Sequence, residues 1–445
     1  MTYPDPNSRS AQLFARGRES MPGGNSRTGV MLSPYPIYAV HGDGCRITDA
    51  DGTVRIDCIN NWSSLIHGHG NADVLAALAE QSRHLLAVGM PTEVEIELAE
   101  LLCERLGGVD KIRFSNSGSE AMMMAVRAAR AYTGRDMVAK VEGAFHGSAD
   151  ALEVSVAPSP ALWGPADAPS SVAATEGIPL KVRQDTLVLP FNDVEATCKL
   201  IEAHSAKLAG VVIDPIVSRM GFVEATDTYL GAVRDLTHRL GIALIFDEVF
   251  SFRVGYHGAQ GVTGVTPDIT AMGKVIGGGL PVGATGGKAE IMAVFDQTSK
   301  PLRVEHGGTY NANPLTMAAG LACMRQMTPQ AYDRLDRLGE RMRTGLRGCL
   351  SDNGLDGQVT GRGSLVGLIF SSRPFKNFRE LPLHSNELKM ILALHRYLLN
   401  HGVQIIPFGL MILSTAMTED DIDEILAAAK AGMAELRGMR ALDGP

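Results

Sequence analysis

The sequence predicts an α/β chain with a large domain built on a mostly parallel sheet and a smaller α+β domain. Two observations carry this. Between residues 112 and 246, short apolar strand signals alternate with segments whose apolar residues recur at helical spacing. After about residue 330 the pattern changes to a long helix, two apolar strand signals and a closing helix. The expected division is an N-terminal segment, 1–60, that joins the small domain, a large domain over 61–330, and a small α+β domain over 331–445.

The elements follow in order. Residues up to about 20 read as a polar helix, and 21–38, rich in Gly and Pro, as irregular chain. Residues 44–59 read as short strands around a turn at Asp51-Gly52. Residues 93–106 have helical periodicity. A strand at 112–114 leads through Ser115-Asn116-Ser117-Gly118-Ser119-Glu120 into a long helix, 121–132. Strands follow at 137–140 and 208–213, a helix at 229–240, and a strand at 242–246. Residues 157–179, carrying Pro158, Pro160, Pro165, Pro169 and Pro179, form a long loop, either a lid or a subunit contact. The last unit has a helix at 331–350, strands near 364–370 and 404–406, and a helix at 420–433.

Composition narrows the function. Of 445 residues, 45% are hydrophobic, enough for a large core, but only 5% are aromatic, so aliphatic residues must build it. The net charge of −8 and the lack of a basic tract argue against a nucleic-acid partner. No run of 18 apolar residues predicts a membrane span, and the start lacks a basic-then-apolar signal pattern. Six scattered cysteines without a CxxC pair argue against a disulfide framework and a structural zinc site. A cytoplasmic protein without a metal is expected.

Lys274 sits in the glycine-rich stretch Ala271-Met272-Gly273-Lys274-Val275-Ile276-Gly277-Gly278-Gly279, downstream of Asp247 at the end of an apolar strand. This pair suits pyridoxal phosphate (PLP). A lysine amine can form a Schiff base with an aldehyde. A carboxylate at the pyridine nitrogen keeps it protonated, so the ring acts as an electron sink. Ser117, Gly118 and Ser119 lie between a strand and a helix, where free N–H groups and hydroxyls can hold an anion such as the cofactor phosphate. Phe145, in Phe145-His146-Gly147, can stack on the ring, with His146 beside it. Val249 can pack the other ring face, and Glu248 reads as a structural acid. Thr309, in a turn before an apolar helix at 315–324, can donate to a phosphate.

The order of these elements, together with Phe246-Asp247-Glu248-Val249 and the Lys274 stretch, resembles the class III aminotransferases of the fold type I PLP enzymes over roughly residues 20–435. The resemblance implies that Lys274 is the Schiff-base lysine and proton carrier, and that Asp247 pairs with the pyridine nitrogen. It further implies that Thr309 serves the neighbouring subunit's cofactor, in a homodimer with shared sites. Phe145 stands where the family usually has Tyr, and Asp214-Pro215 where it usually has Glu-Pro.

Within the class, Pro190-Phe191-Asn192-Asp193, Phe252-Arg253-Val254 and Gly264-Val265-Thr266-Pro267-Asp268 resemble the glutamate-1-semialdehyde aminomutase-like branch, which includes β-phenylalanine and other β-amino acid aminotransferases. Arg27, in Pro22-Gly23-Gly24-Asn25-Ser26-Arg27, is similar to a carboxylate-binding arginine of the β-specific enzymes, and a guanidinium grips both carboxylate oxygens. Trp62 and Phe408 are assigned with it to the substrate side; Phe408 stands where a second arginine is expected, which favours an apolar group. The implied activity is ping-pong transfer of an amino group from a β-amino acid or amine to a keto acid. The alternatives are a 2,1-aminomutase-like isomerase and an amine transaminase without carboxylate selectivity.

Overall fold

Seven strands form the central sheet, in the order Lys111–Ser115, Gly283–Gly287, Ile269–Gly273, Ala243–Asp247, Leu208–Ile213, Met137–Val141, Thr186–Leu189. In the computed structural model, which describes residues 2–382 and 386–440, Gly283–Gly287 runs antiparallel to both neighbours and the remaining pairings are parallel. The last residues of the small-domain reading, 441–445, and Met1 lie outside the described residues.

Both faces of this sheet are covered, as a parallel sheet requires. Val138, Ala243, Ile245 and Ala271 pack under the helix Gly118–Thr133, with its Ala121, Ala125 and Ala128. The alternate residues Ala139, Val211, Leu244 and Phe246 pack on the opposite face with Tyr229 and Val233 of the helix Asp227–Leu240. Period-two alternation along each strand therefore feeds two cores.

The N-terminal strands Ala39–Asp43, Arg46–Asp49 and Val54–Asp57 form a sheet completed in parallel by Val403–Gln404 from the far end of the chain. A three-stranded antiparallel sheet, Gly357–Thr360, Leu365–Phe370 and Leu410–Ile412, lies nearby. Ile56 and Cys58 share one core with Leu346 of the helix Pro329–Asn353 and Ile425 of the helix Glu419–Arg440. The strand expected at 404–406 is thus a two-residue strand that joins the first segment of the chain to the last.

Residues 157–179 contain only a short 3-10 turn, Pro160–Leu162. They are pinned rather than free. Arg379 donates to both carboxylate oxygens of Glu142 (2.6 and 3.0 Å) and to the carbonyls of Trp163 (2.7 Å) and Gly164 (3.0 Å).

Candidate active site

The site gathers at the carboxyl ends of the parallel strands, where open α/β sheets bind ligands. Lys111–Ser115 ends in the turn that starts the helix Gly118–Thr133. Ser117 is the N-cap; its hydroxyl accepts from the Glu120 N–H (3.2 Å), while the Glu120 carboxylate accepts from the Asn116 N–H (2.6 Å). Ser119 Oγ accepts from the Ser148 N–H (3.1 Å), joining this turn to the segment after Phe145-His146-Gly147. The first N–H groups of the helix remain available to an anion.

The strand Ala243–Asp247 is buried throughout and delivers Asp247 at its end. Asp247 Oδ1 accepts from the Val249 N–H (3.0 Å), and Oδ2 lies 2.7 Å from His146 Nδ1. Burial holds His146 below the usual imidazole range, which favours a neutral ring, and a proton on Nδ1 would be donated to Asp247; its buried Nε2 has no hydrogen-bond partner. Asp214, at the end of the adjacent strand, is buried and its Oδ1 accepts from the Ile216 N–H (3.0 Å). Burial and then the Asp247 charge push the Asp214 carboxyl well above its ordinary range, which favours the protonated acid.

Lys274 follows the strand Ile269–Gly273 and adopts a left-handed backbone conformation, φ 51°, a strain that non-glycine residues keep mainly at functional positions. Its Nζ lies 4.1 Å from the centre of the Phe250 ring. Burial lowers the amine to about 8, against the opposing pull of Asp247 and Asp214. Such an amine is readily available as a nucleophile and a base.

Phe250 connects Lys274 to Trp62, one of the residues expected on the substrate side. Phe250, Phe222 and Trp62 belong to one apolar cluster with Ile406 and Leu410. Arg27 Nη1 donates to Asn61 Oδ1 (2.9 Å), next to Trp62. Residues Asn60, Asn61, Trp62 and Ser63 all have positive φ, between 48 and 79° apart from Asn61 at 47°. This strained turn is tied down by Asn60 Nδ2, which donates to the carbonyls of Asp57 (3.0 Å) and Ile412 (2.7 Å). Phe408 occupies the turn between Ile406 and Leu410 and is 60% exposed. Phe145 is also exposed, and Thr309 lies in an exposed segment. Glu248 is structural, accepting from the Ala259 (2.6 Å) and Gln260 (3.2 Å) N–H groups.

The sequence reading did not include Phe250 or the left-handed turn, and left Asp214 without a role. The adjacent pair Asn60-Asn61 was the one local signal for the turn, since asparagine tolerates left-handed backbone.

A family model described as aminotransferase class-III matches residues 30–431. The chain belongs to the class III aminotransferases. These are PLP-dependent enzymes, so the expected fold, enzyme class and cofactor stand. This class III chain is 39% identical to glutamate-1-semialdehyde 2,1-aminomutase 2 of Halalkalibacterium halodurans, over 96% of this chain and 99% of that one. Its fold is similar to an omega-transaminase from Sphaerobacter thermophilus, with a TM-score of 0.96, 47% identity, and coverage of 98% and 99%. It is also similar to a β-phenylalanine aminotransferase from Variovorax paradoxus, with a TM-score of 0.86, 32% identity, and coverage of 98% and 95%.

The residues present fit the class III cofactor. A Cβ on Gly118 would come within 2.7 Å of Val249 Cγ1, so the glycine lets the helix-start turn lie directly against Val249, beside Asp247. The helix start supplies N–H donors, Asp247 presents a carboxylate already oriented by two donors, and His146 Nε2 is a buried acceptor without a partner. Among the described residues no helix is long and apolar enough to cross a membrane, and no His/Cys/Asp/Glu cluster could hold a metal ion.

Proposed function

We infer that this class III enzyme transfers an amino group from a β-amino acid or amine donor to a keto acid. The observation that carries this reading is Arg27, whose guanidinium is bonded to Asn61 at the edge of the apolar cluster that contains Trp62 and Phe250, beneath the Lys274 amine. A carboxylate-gripping group and an apolar wall on one side of the amine suit a donor with both a carboxylate and an apolar substituent.

When bound, PLP supplies an electron sink for the charge that develops at the donor's amine-bearing carbon. Asp247 would hold a proton at the pyridine nitrogen, and His146 fixes the Asp247 carboxylate. The helix start at Ser117, Gly118 and Ser119 would hold the phosphate, and Phe145 and Val249 would pack against the ring. Lys274 Nζ removes the proton from the amine-bearing carbon of the donor. Phe408 leaves its side of the entrance apolar.

The exposed Thr309 segment and the exposed Leu85, Leu86, Met90 and Tyr310 support a homodimer in which Thr309 reaches the neighbouring subunit's cofactor phosphate. Six free cysteines support a reducing, cytoplasmic setting.

A second reading is the 2,1-aminomutase, favoured by the identity to the Halalkalibacterium halodurans enzyme. It moves an amino group between adjacent carbons of one substrate and needs no external acceptor. One experiment separates these. The PLP-loaded protein is mixed separately with β-phenylalanine, an arylalkylamine and glutamate 1-semialdehyde, without acceptor, and its visible absorption followed. Bleaching by β-phenylalanine that Arg27→Ala abolishes supports the β-amino acid reading. Bleaching by the amine alone assigns an amine transaminase. Multiple turnovers of the semialdehyde without acceptor establish the aminomutase instead.

A further inference from the structure

Lys140 lies in the strand Met137–Val141, and its side chain is fully buried. A charged amine there is costly, and an apolar residue would fill the strand position without that cost. The neighbouring acid Glu142 is engaged by Arg379 through both oxygens. The Lys140 amine instead donates to two main-chain carbonyls, Ala144 (2.8 Å) and Val154 (2.7 Å).

Those carbonyls mark the two ends of one loop. Residues 144–154 contain neither helix nor strand. The loop's neck is closed by the Gly143 N–H bond to the Ser155 carbonyl (2.8 Å) and by Lys140 bridging just inside it. Phe145 and His146 follow directly on Ala144, and His146 reaches back to Asp247 at 2.7 Å. Lys140 therefore fastens the loop one residue before its functional side chains begin.

We propose that Lys140 is a positioning residue that ties the ends of the 144–154 loop together and thereby fixes His146 against Asp247. This rests on the reading of Asp247 as the carboxylate at the cofactor's pyridine nitrogen. The charged and titratable groups facing Lys140 are Glu142, Arg219 and His146. Burial lowers its amine to about 7, Glu142 opposing and Arg219 reinforcing the shift.

The test compares wild type with Lys140→Met. In the apo-protein, amides of residues 145–153 should exchange at least about tenfold faster in the variant, while those of the strand Ala243–Asp247 keep their protection. In the loaded protein, PLP affinity should fall about tenfold and the visible circular dichroism of the bound cofactor should change. Wild-type exchange in 145–153 overturns the proposal, as does a loosened loop with unchanged affinity and dichroism. Asp247→Asn serves as the separate control: unchanged affinity and dichroism there defeats the reading of Asp247, whatever the loop does.

If Lys140→Met does not fold, the wild-type apo-protein supplies the measurement. Opening the loop returns Lys140 to water, where it takes up a proton that the closed form sheds above about 7. Protection of 145–153, corrected for chemical exchange, should therefore rise from pH 7 to pH 9, by at most about tenfold per unit. A flat profile overturns the proposal.

Discussion

His146 Nδ1 lies 2.7 Å from Asp247 Oδ2, and both side chains are buried. Burial favours the neutral imidazole, and with its proton on Nδ1 this contact is a hydrogen bond to a carboxylate. It sets the direction in which the other lone pairs of Asp247 point. His146→Phe removes the donor without adding a charge. A lost hydrogen bond to a buried carboxylate is worth about 1.5–3 kcal/mol. We expect kcat to fall about tenfold to a hundredfold, with a shift in the pH at which the bound cofactor's spectrum titrates. Unchanged kcat and spectrum would show that Asp247 needs no help from His146.

Lys274 provides a pH dependence. Only the neutral amine attacks an aldehyde. Burial brings Lys274 down to about 8 from an ordinary lysine value, so the neutral fraction falls as pH drops below 8. The rate at which apo-protein captures free PLP, followed by stopped-flow absorbance, should rise about tenfold per pH unit below the break and level off above it. A break above pH 10 would mean that Lys274 is solvated. Lys274→Ala should abolish turnover.

Gly283 tests the packing behind the phosphate turn. A Cβ there would collide with the Ser117 carbonyl, whereas one at Gly307 meets nothing. Gly283→Ala should destabilise the protein by about 2–3 kcal/mol in urea unfolding and weaken PLP retention. Gly307→Ala should change stability by less than about 0.5 kcal/mol.

Arg379 tests whether 157–179 is held. Its loss frees the Trp163 and Gly164 carbonyls and leaves the buried Glu142 without its partner. Breaking a buried ion pair on one side costs about 3–5 kcal/mol. Arg379→Ala should therefore be strongly destabilised, and limited proteolysis should cut within 157–179 well before the wild type is cut. Equal resistance in the two proteins would show that the loop is held by its other contacts.

What the sequence makes legible here is short in range. The acid at the end of an apolar strand, the small-residue turn before a helix and the lysine among glycines each announce themselves within a few residues, and the structure brings Asp247 and Lys274 into one neighbourhood. The strand Gly283–Gly287 is hidden because its composition is that of a loop. Its glycines answer to neighbours distant in sequence: Ser117 behind Gly283 and Val109 beside Gly286. Asp214 lay beyond the reading for the same reason, since its altered acidity comes from burial and from Asp247 on another strand. The Arg379–Glu142 pair spans 237 positions, and no local pattern reports it.

Phe408 occupies a hairpin tip and leaves more than half of its surface to solvent. Little core volume depends on it, so polar, charged or small replacements there carry a low thermodynamic penalty. On the proposed reading of Phe408 as a substrate-side residue, substrate preference can therefore drift at this position while the residues around Lys274 stay intact. A saturation library at residue 408 should return mostly folded proteins that differ in the donors they accept, making this tip the natural starting point for redirecting the enzyme.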